Sequence, residues 1–412
     1  MKIRVYYPFF PFPIVEAAYL SVFNQLHGFV DQGHDVELVF WKDTLESAQQ
    51  KMKESHVEPW SSKIHLMSLN KEAGELESTM GRWKRVAQSL SSPYASSEEF
   101  HYPAQLFFDY LENQEMQPVD LAIYHYSFCY PWICNGLRSD EKKQVVYYHN
   151  LEFELFEQRA ERATWFLDRW IHKLNAKKLK KHELVLGECF DEIWQHSKYD
   201  AEKLNQLTGR QWKQKICPPS MRVALYEARV AHWRATVPNS KLLQLGFIGG
   251  LGHGPNLSSA LWLTNEVSPL LEQNQFTGEM IFAGKSLEAF QVKTKKYSFI
   301  KHMGFLQDPE PFWSQLSFLL VPHIEGSGIR VKILEALASG IPVIINDDAA
   351  RALPGAIKNL RGVIICNEPE EWAKVILSQK PFQLRKEITE LGFPKELVTD
   401  YLQAENYLAL NI

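Results

Sequence analysis

Residues 318–346, FLLVPHIEGSGIRVKILEALASGIPVIIN, hold the signals that decide the fold of this chain. The apolar run that ends at Pro322 predicts a buried strand. Glycines at 326 and 328 stand in a polar loop just before an apolar-periodic segment, which predicts a helix. Gly340 predicts the left-handed C-cap of that helix, and the next strand follows at once. A strand, a helix and a strand in this order are the unit of a parallel α/β sheet.

The start of the predicted helix has the chemistry of a phosphate-binding site. A first helical turn has unpaired N–H groups and the positive end of the helix dipole, and two glycines leave these amides uncovered. Lys332 is near enough to meet a diphosphate, and the planar fork of Arg330 suits phosphate. Glu335 follows about one turn later, where a ribose attached to that diphosphate would lie. A surface Lys–Glu pair is the alternative, but it explains neither the glycines nor three charges in an otherwise apolar helix.

Strand and helix signals alternate through most of the sequence. In the first half the pattern predicts strands over residues 2–7, 35–41, 119–124 and 144–148, a helix over 17–32 and one long helical stretch over 161–192. In the second half it predicts strands over 242–248, 279–283, 297–301, 318–322 and 341–345 and a helix from 256. The prolines in KICPPS, residues 215–220, predict an interdomain linker. The chain is therefore expected to form two doubly wound α/β domains, 1–220 and 221–391.

Composition excludes several classes of protein. The 412 residues exceed one ordinary core, and a net charge of −4 argues against a protein that coats nucleic acid. No GxGxxG motif follows the first strand, which argues against a dinucleotide-binding domain. No run is long and apolar enough for a membrane span. The five cysteines are scattered without metal-ligand spacing and predict reduced thiols in a cytoplasmic protein; they are Cys129, Cys134, Cys189, Cys217 and Cys366.

Two aromatic segments each allow two interpretations. Residues 164–181 place aromatic side chains before a cluster of lysines, which suits a helix that rests on anionic lipid headgroups. A solvated crossover helix whose aromatic residues face the core is the commoner case and the favoured one. The loop over residues 6–13, YYPFFPFP, is either a surface for an acceptor or a membrane, or a loop held against its own domain. The second interpretation is again the favoured one.

The stretch EGSGIRVKILEALASGIPVI, residues 325–344, resembles the donor-site signature of GT-B glycosyltransferases, and specifically of glycosyltransferase family 4, the glycosyl transferases group 1. The resemblance extends over nearly the whole chain. It includes the segments 247–249, 255–256, 282–284 and 302–304 in the second half, and the less specific segments 120–125 and 148–152 in the first half. It implies a GT-B fold, in which two Rossmann-like domains face each other across a cleft and a terminal helix, residues 392–412, returns to the first domain.

The resemblance also implies a nucleotide-diphosphate sugar as the donor substrate, with no cofactor and no metal. Glu335 would hold the ribose hydroxyls, while Arg330 and Lys332 would neutralise the leaving diphosphate. His125 would lie beside the sugar, although a core histidine that is satisfied locally is the alternative. The other donor contacts would come from glycine loops and strand ends, namely Gly249, Gly250, His253, Gly304, Phe305, Gly326, Ser327 and Gly328.

The chain departs from the family pattern in two places. Family members often have two glutamates that lie closer together in the sequence than Glu325 and Glu335 do here, and Ser327 occupies the first glutamate's position. Either Glu325 reaches in from upstream, or Ser327 and the loop amides replace it. The second departure is the segment PIVEAA, residues 13–18, which lacks the paired glycines that are usual after the first strand.

The chemistry implied by the resemblance is transfer of a hexosyl group with retention of configuration at the anomeric carbon, to an acceptor that the sequence does not identify. Polysaccharide or glycoconjugate synthesis would be the setting. Two other functions are compatible with the same fold. One is a catalytically silent protein that binds a nucleotide sugar or supports a partner enzyme, and the other is an epimerase that acts on the nucleotide sugar itself.

Overall fold

The computed structural model describes residues 1–12, 17–54, 63–70, 90–103, 117–134, 141–217, 231, 242–306, 308–326, 328–378 and 384. The chain forms two compact units. The first unit is Met1–Ser220 together with Gly326–Gly328, and the second unit is Met221–Glu325 together with Ile329–Asn406. The predicted terminal helix over 392–412 lies outside the described residues, as do Ser327 and residues 218–220 of the predicted linker.

Short parallel strands separated by helices make up the described part of both units. The strands of the first unit are β1 Lys2–Tyr6, β2 Asp35–Thr44, β3 Ile64–Asn70, β4 Leu121–His125, β5 Gln144–Tyr148, β6 Glu192–Gln195 and β7 Gln214–Ile216. Its helices are α1 Ala17–Asp31, α2 Leu45–Glu54, α3 Ser96–His101, α4 Tyr130–Cys134, α5 Glu152–Arg162, α6 Phe166–Glu183 and α7 Lys198–Thr208.

The second unit repeats this alternation. Its strands are β8 Gln244–Ile248, β9 Glu279–Ala283, β10 Ile300–Gly304, β11 Phe318–Val321, β12 Val343–Ile345 and β13 Val363–Ile365. Its helices are α8 Gly254–Trp262, α9 Ser268–Gln273, α10 Glu288–Thr294, α11 Glu310–Gln315, α12 Val331–Ala338, α13 Asp347–Ala350, α14 Gly355–Lys358 and α15 Pro369–Leu377, and a π-helical turn, Leu263–Val267, joins α8 to α9.

Each unit contains one parallel sheet that grows outward in both directions from its first strand. The strand order is β3-β2-β1-β4-β5-β6-β7 in the first unit and β10-β9-β8-β11-β12-β13 in the second. In the first sheet, strands are added on one side of β1 up to β3 and then on its other side from β4 onward. In the second sheet the same switch lies between β8 and β11. Open sheets of this kind bind ligands outside the carboxyl ends of the strands, at the point where the order reverses. The two sheets confirm the predicted α/β fold class.

The core of the first unit is rich in aromatic side chains. Tyr6 on β1 stacks on Tyr124 of β4 with ring centroids 4.4 Å apart, and Trp132 meets Tyr6 edge-on. Trp41 of β2 lies against the same indole at 4.8 Å. Such pairs add to the free energy gained by burying their area. The high aromatic content of the chain is thus used largely inside this unit.

Three predicted boundaries are wrong. The helical stretch predicted over 161–192 starts at the end of α5 and breaks at Ala163, where the backbone is extended; α6 then runs only from Phe166 to Glu183, and β6 begins at Glu192. Lys215 is not in a linker, because it pairs with Trp194 of β6 as part of β7. The strand predicted over 297–301 begins three residues later, at Ile300.

The aromatic loop after β1 is held against its own unit, which confirms the favoured interpretation. Tyr7, Phe10 and Phe12 are buried. The Phe10 N–H donates to Asp43 Oδ2 at 3.0 Å, and the N–H groups of Trp41 and Lys42 donate to the Pro8 carbonyl. These side chains are therefore part of the core and do not form a contact surface.

A buried carboxylate at the end of α6 caps the start of α5. Glu183, at the end of α6, accepts the N–H of Glu152 at 2.9 Å and the N–H of Phe153 at 3.0 Å, at the start of α5. It also accepts the Ser127 hydroxyl. Burial raises the pKa of Glu183 to about 8, whereas these hydrogen bonds favour its charged form. The side chain thus satisfies two amides that the helix itself leaves unpaired.

We expect Glu183→Ala to loosen the start of α5, because the amides of Glu152 and Phe153 would be buried without an acceptor. A loss of about 2 kcal/mol would speed their hydrogen exchange roughly 30-fold. Exchange measured by mass spectrometry on peptides from 150–162 checks this expectation. Glu161→Ala, on the exposed side of the same helix, is the matched control and should leave exchange unchanged. Equal exchange rates in both variants would contradict the capping role.

Of the helices in the described ranges, none combines the length and the apolar character that crossing a bilayer requires.

Candidate functional site

Helix α12 follows β11 and has the amphipathic form expected from its sequence. Ile333, Ala336 and Leu337 are fully buried and Ile329 nearly so. Gly340 closes the helix with φ +70°, a left-handed conformation that favours glycine, and the Ile341 N–H donates back to the Ala336 carbonyl at 2.8 Å. No side chain in the described part of the chain caps the N-terminus of α12, where Arg330 is the N-cap residue. Its first turn therefore keeps amides that a ligand can use.

The loop before α12 contains two glycines in left-handed conformations. Gly326 has φ +102° and Gly328 has φ +76°, values at which an L side chain is strained. The amide of Gly326 is not bare as predicted, because within the first unit it donates to Gln158 Oε1 at 2.5 Å. The Gln158 side chain returns a bond to the Gly326 carbonyl at 3.3 Å. Glu325 is buried, with 7% of its surface exposed.

Lys332 connects α12, which follows β11, to the end of the neighbouring strand β8. The strand order of the sheet reverses between these two strands. Lys332 Nζ donates to the Ile248 carbonyl at 2.5 Å and to Asn256 Oδ1 at 3.0 Å. It also lies 4.9 Å from the centre of the Phe247 ring. Burial, and to a lesser degree the charge of Arg330, lowers the pKa of Lys332 to about 7. An anion placed beside this amine would favour its protonated form.

Arg330 is held by a residue that the sequence did not single out. Its Nη2 donates to His323 Nε2 at 2.6 Å. His323 is fixed in turn by Asn346, which accepts the His323 N–H at 2.9 Å and donates to its carbonyl at 2.8 Å. The sequence offered one sign of this contact, because His323 directly follows the predicted strand that ends at Pro322. Glu335 is half-buried one turn beyond Arg330.

The carboxyl ends of β8, β9 and β10 are joined by backbone hydrogen bonds at three glycines, Gly249, Gly284 and Gly304, which we call the glycine edge. The Gly249 N–H donates to the Ala283 carbonyl at 2.9 Å, and the Gly284 N–H donates to the Gly304 carbonyl at 2.7 Å. All three glycines have positive φ, at +154°, +115° and +69° in chain order. A Cβ on Gly284 would lie 2.6 Å from the Gly249 carbonyl oxygen, so that position has room only for glycine.

Asn256 ties this glycine edge to Lys332. Its Nδ2 donates to the Gly250 carbonyl at 3.2 Å while its Oδ1 accepts from Lys332. His253 is exposed and forms the N-cap of α8, and its N–H donates to the Gly250 carbonyl at 3.2 Å. Phe305, just after β10, is 50% exposed. The structure therefore brings Gly249, Gly250 and Lys332 together at one edge of the second sheet.

His125 lies in the first unit, and its surroundings are those of a histidine satisfied locally. It is fully buried at the end of β4. Its Nε2 contacts Gln25 Oε1 at 2.9 Å and its Nδ1 contacts His149 Nε2 at 2.9 Å. An amide oxygen only accepts, so His125 carries its proton on Nε2 and accepts from His149 on Nδ1. Burial, and next the nearby His196, lowers the pKa of His125 to about 3. Its role beside a sugar stays a prediction.

Among the described residues, no group of three or more histidine, cysteine, aspartate or glutamate side chains is arranged to hold a metal ion. The basic groups of the site are instead Arg330 and Lys332, with the uncapped start of α12 beside them. An arrangement of two cations at a helix N-terminus suits a phosphate-bearing ligand.

Comparison with known proteins gives a family for part of the chain. Residues 243–379 match the family model described as Glycosyl transferases group 1. This match begins just before β8 and ends just after α15, so it contains the edge described above. No curated protein matches the chain.

Several solved structures are similar over the full length. A sucrose-phosphate synthase from Thermosynechococcus elongatus is 13% identical, with a TM-score of 0.66 over 99% of this chain and 98% of that one. WaaG, a glycosyltransferase involved in lipopolysaccharide biosynthesis, is 12% identical, with a TM-score of 0.64 over 99% of this chain and 100% of that one. Anabaena Alr3699/HepE in complex with UDP and glucose is 13% identical, with a TM-score of 0.58 over 100% of both chains. At such identities the likeness shows the fold.

We expect Gly284→Ala to destabilise the second unit, because the new Cβ would meet the Gly249 backbone at a strained φ. A cost of about 2–3 kcal/mol would lower the melting temperature by roughly 5–10 °C. Thermal unfolding followed by circular dichroism measures the change. Gly252→Ala is the control, because a Cβ there meets nothing within 4 Å. A melting temperature that is the same in both variants would show that the glycine edge is not closely packed.

Proposed function

We propose that this chain, whose second unit carries a glycosyl transferases group 1 domain, is a GT-B glycosyltransferase that takes a sugar from a nucleotide-diphosphate donor held at the start of α12. The observation that carries the proposal is the position of Lys332. Its amine lies between the end of β8 and the first turn of α12, where the sheet order reverses and where ligands of such sheets bind.

The comparisons support a nucleotide sugar as the donor. Structures of Anabaena Alr3699/HepE contain UDP, UDP with glucose, and UDP-glucose. The family match covers every residue of this chain that contributes to the glycine edge and to α12. We therefore use UDP-glucose as the first probe, and we propose no base or sugar beyond it.

The residues divide the work of donor binding in the proposed function. Arg330 and Lys332 would neutralise charge on the departing diphosphate, together with the dipole of α12, and this stabilises the transition state more than the ground state. Glu335 would accept hydrogen bonds from the ribose hydroxyls. Glu325 is buried close before the glycine loop, and either it or Ser327 would contact the sugar.

We propose the finer chemistry on the strength of the resemblance in the donor segment. The chain would belong to glycosyltransferase family 4, retain the configuration of the transferred sugar and need no metal ion. With two side-chain cations and a helix dipole facing the diphosphate, the protein itself supplies the positive charge that a metal would supply elsewhere. The acceptor would be a polysaccharide or glycoconjugate precursor.

We expect Glu335→Ala to weaken binding of the nucleotide sugar. Loss of charge-assisted hydrogen bonds to the ribose would raise Kd about 10- to 100-fold. A thermal-shift comparison of UDP-, GDP-, ADP- and dTDP-glucose first selects the base, and isothermal titration calorimetry with the selected nucleotide glucose then gives the value. Glu272→Ala, at an exposed position on α9, is the matched control. An unchanged Kd in Glu335→Ala would remove this residue from the donor site.

We expect donor binding to take up a proton at mildly alkaline pH. Lys332 has a lowered pKa of about 7, so in the free protein its amine loses the proton as pH rises through this value. The diphosphate favours the ammonium form, so above about pH 7 binding must restore the proton, and affinity falls by up to about tenfold per pH unit. Below this pH the amine is already charged and affinity is flat.

Calorimetry at about pH 8 in buffers of different ionisation enthalpy counts the protons taken up on binding. The wild type should take up close to one, and Lys332→Gln should take up none while binding more weakly. Proton uptake that persists in Lys332→Gln would assign it to another group and contradict this role for Lys332.

A further inference from the structure

Helix α6 of the first unit presents an exposed stripe that the proposed donor chemistry does not use. We define the α6 stripe as the exposed residues of this helix, which are Phe166, Arg169, Trp170, Lys173, Lys177 and Lys181. At 100° per residue these positions fall within an arc of about 120°. The buried residues of α6 all lie outside this arc; they are Asn175, Ala176, Leu179, His182 and Glu183.

Two large aromatic side chains stand in water at the N-terminal end of the stripe. Phe166 is 70% exposed and Trp170, one turn later, is 44% exposed. Neither faces the core, contrary to the interpretation favoured from the sequence. Adjacent exposed aromatic residues on one helix face are costly in water, and they mark surfaces that meet another apolar phase or partner.

The rest of the stripe is positive throughout. The two acidic residues of α6 lie outside it, because Asp168 is half-buried on the other side and Glu183 is buried. The stripe therefore carries four cations and no acid, on a chain whose net charge is −4. Attraction to an anionic surface would have to come from this local patch, since the molecule as a whole would be repelled.

The lysines of α6 separate into two groups by their contacts. Lys178 donates to the backbone carbonyl of Tyr94, and Lys180 contacts Glu157 at 3.5 Å and lies over the Phe153 ring. Within the described residues, Lys173, Lys177 and Lys181 form no ion pair. Lys178 thus lies outside the arc of the stripe, whereas Lys180 lies within the arc but is paired with Glu157 and is not counted among the solvent-facing lysines.

We propose that the α6 stripe docks this protein on the surface of a bilayer that contains anionic lipids. Phe166 and Trp170 enter the boundary between headgroups and acyl chains, where aromatic side chains are favourable. Arg169 and the three solvent-facing lysines lie over the headgroups and are attracted by their negative charge. The charge of the stripe together with its aromatic end fits a lipid surface better than a soluble polyanion, which would have no use for Phe166 and Trp170.

Co-sedimentation of the full chain with vesicles tests the proposal. We expect binding to phosphatidylcholine vesicles with about 30% phosphatidylglycerol, weak binding to pure phosphatidylcholine, and loss of binding in high salt. Lys173→Gln/Lys177→Gln/Lys181→Gln should lower the partition coefficient roughly 100-fold. Phe166→Ser/Trp170→Ser should lower it roughly tenfold or more.

Matched control variants lie on the second unit. Lys293→Gln/Lys295→Gln/Lys301→Gln removes the same charge from exposed positions, and Leu287→Ser/Val292→Ser removes exposed apolar side chains. Both should bind vesicles like the wild type. All four variants should retain the Kd for UDP-glucose, so the outcome is separate from that of the proposed function.

Three results would overturn the proposal. The first is no binding to anionic vesicles, and the second is an equal loss in the stripe variants and their controls. The third is full binding by Phe166→Ser/Trp170→Ser with equally tight binding of heparin, which would indicate a site for a soluble polyanion.

Discussion

The bond from the Lys332 amine to the Ile248 carbonyl is the contact on which the candidate site depends. It joins the helix after β11 to the end of β8, across the point where the strand order reverses. Asn256 extends this link to the glycine edge by accepting from Lys332 and donating to Gly250. Burial disfavours the charged form of the Lys332 amine, and this lowers its pKa. In the proposed function this amine is the cation that would face the diphosphate.

The sequence predicted α12 well because the signals for it are local. Glycines before the helix, the apolar period within it and the glycine after it all act over a few residues, and the buried face and the left-handed Gly340 agree with them. The break between α5 and α6 could not be predicted in this way. Nor does a local pattern show that Glu183, at the end of α6, caps the start of α5, 31 residues earlier in the chain.

The same distinction between local and distant signals holds within the site. The sequence indicated Lys332 and Arg330 as basic residues in a helical turn, but not their partners. Ile248 lies 84 residues from Lys332, and His323 meets Arg330 only because of the turn between β11 and α12. The burial of His125 likewise comes from Gln25 and His149, which other elements bring to the end of β4. Contacts between distant residues follow from the sheet order, which a single sequence does not contain.

The lowered pKa of Lys332 also changes what its nitrogen can do. Near neutrality a share of these side chains is uncharged and carries a free electron pair, whereas an ordinary lysine is almost wholly protonated. An uncharged primary amine is a nucleophile, so Lys332 is more open to acylation or carbamylation by small electrophiles than it would be with an ordinary pKa. A bound diphosphate would return the proton and remove that reactivity. If the proposed donor site is correct, the burial of Lys332 thus leaves the empty protein with a chemically reactive position that the bound donor would protect.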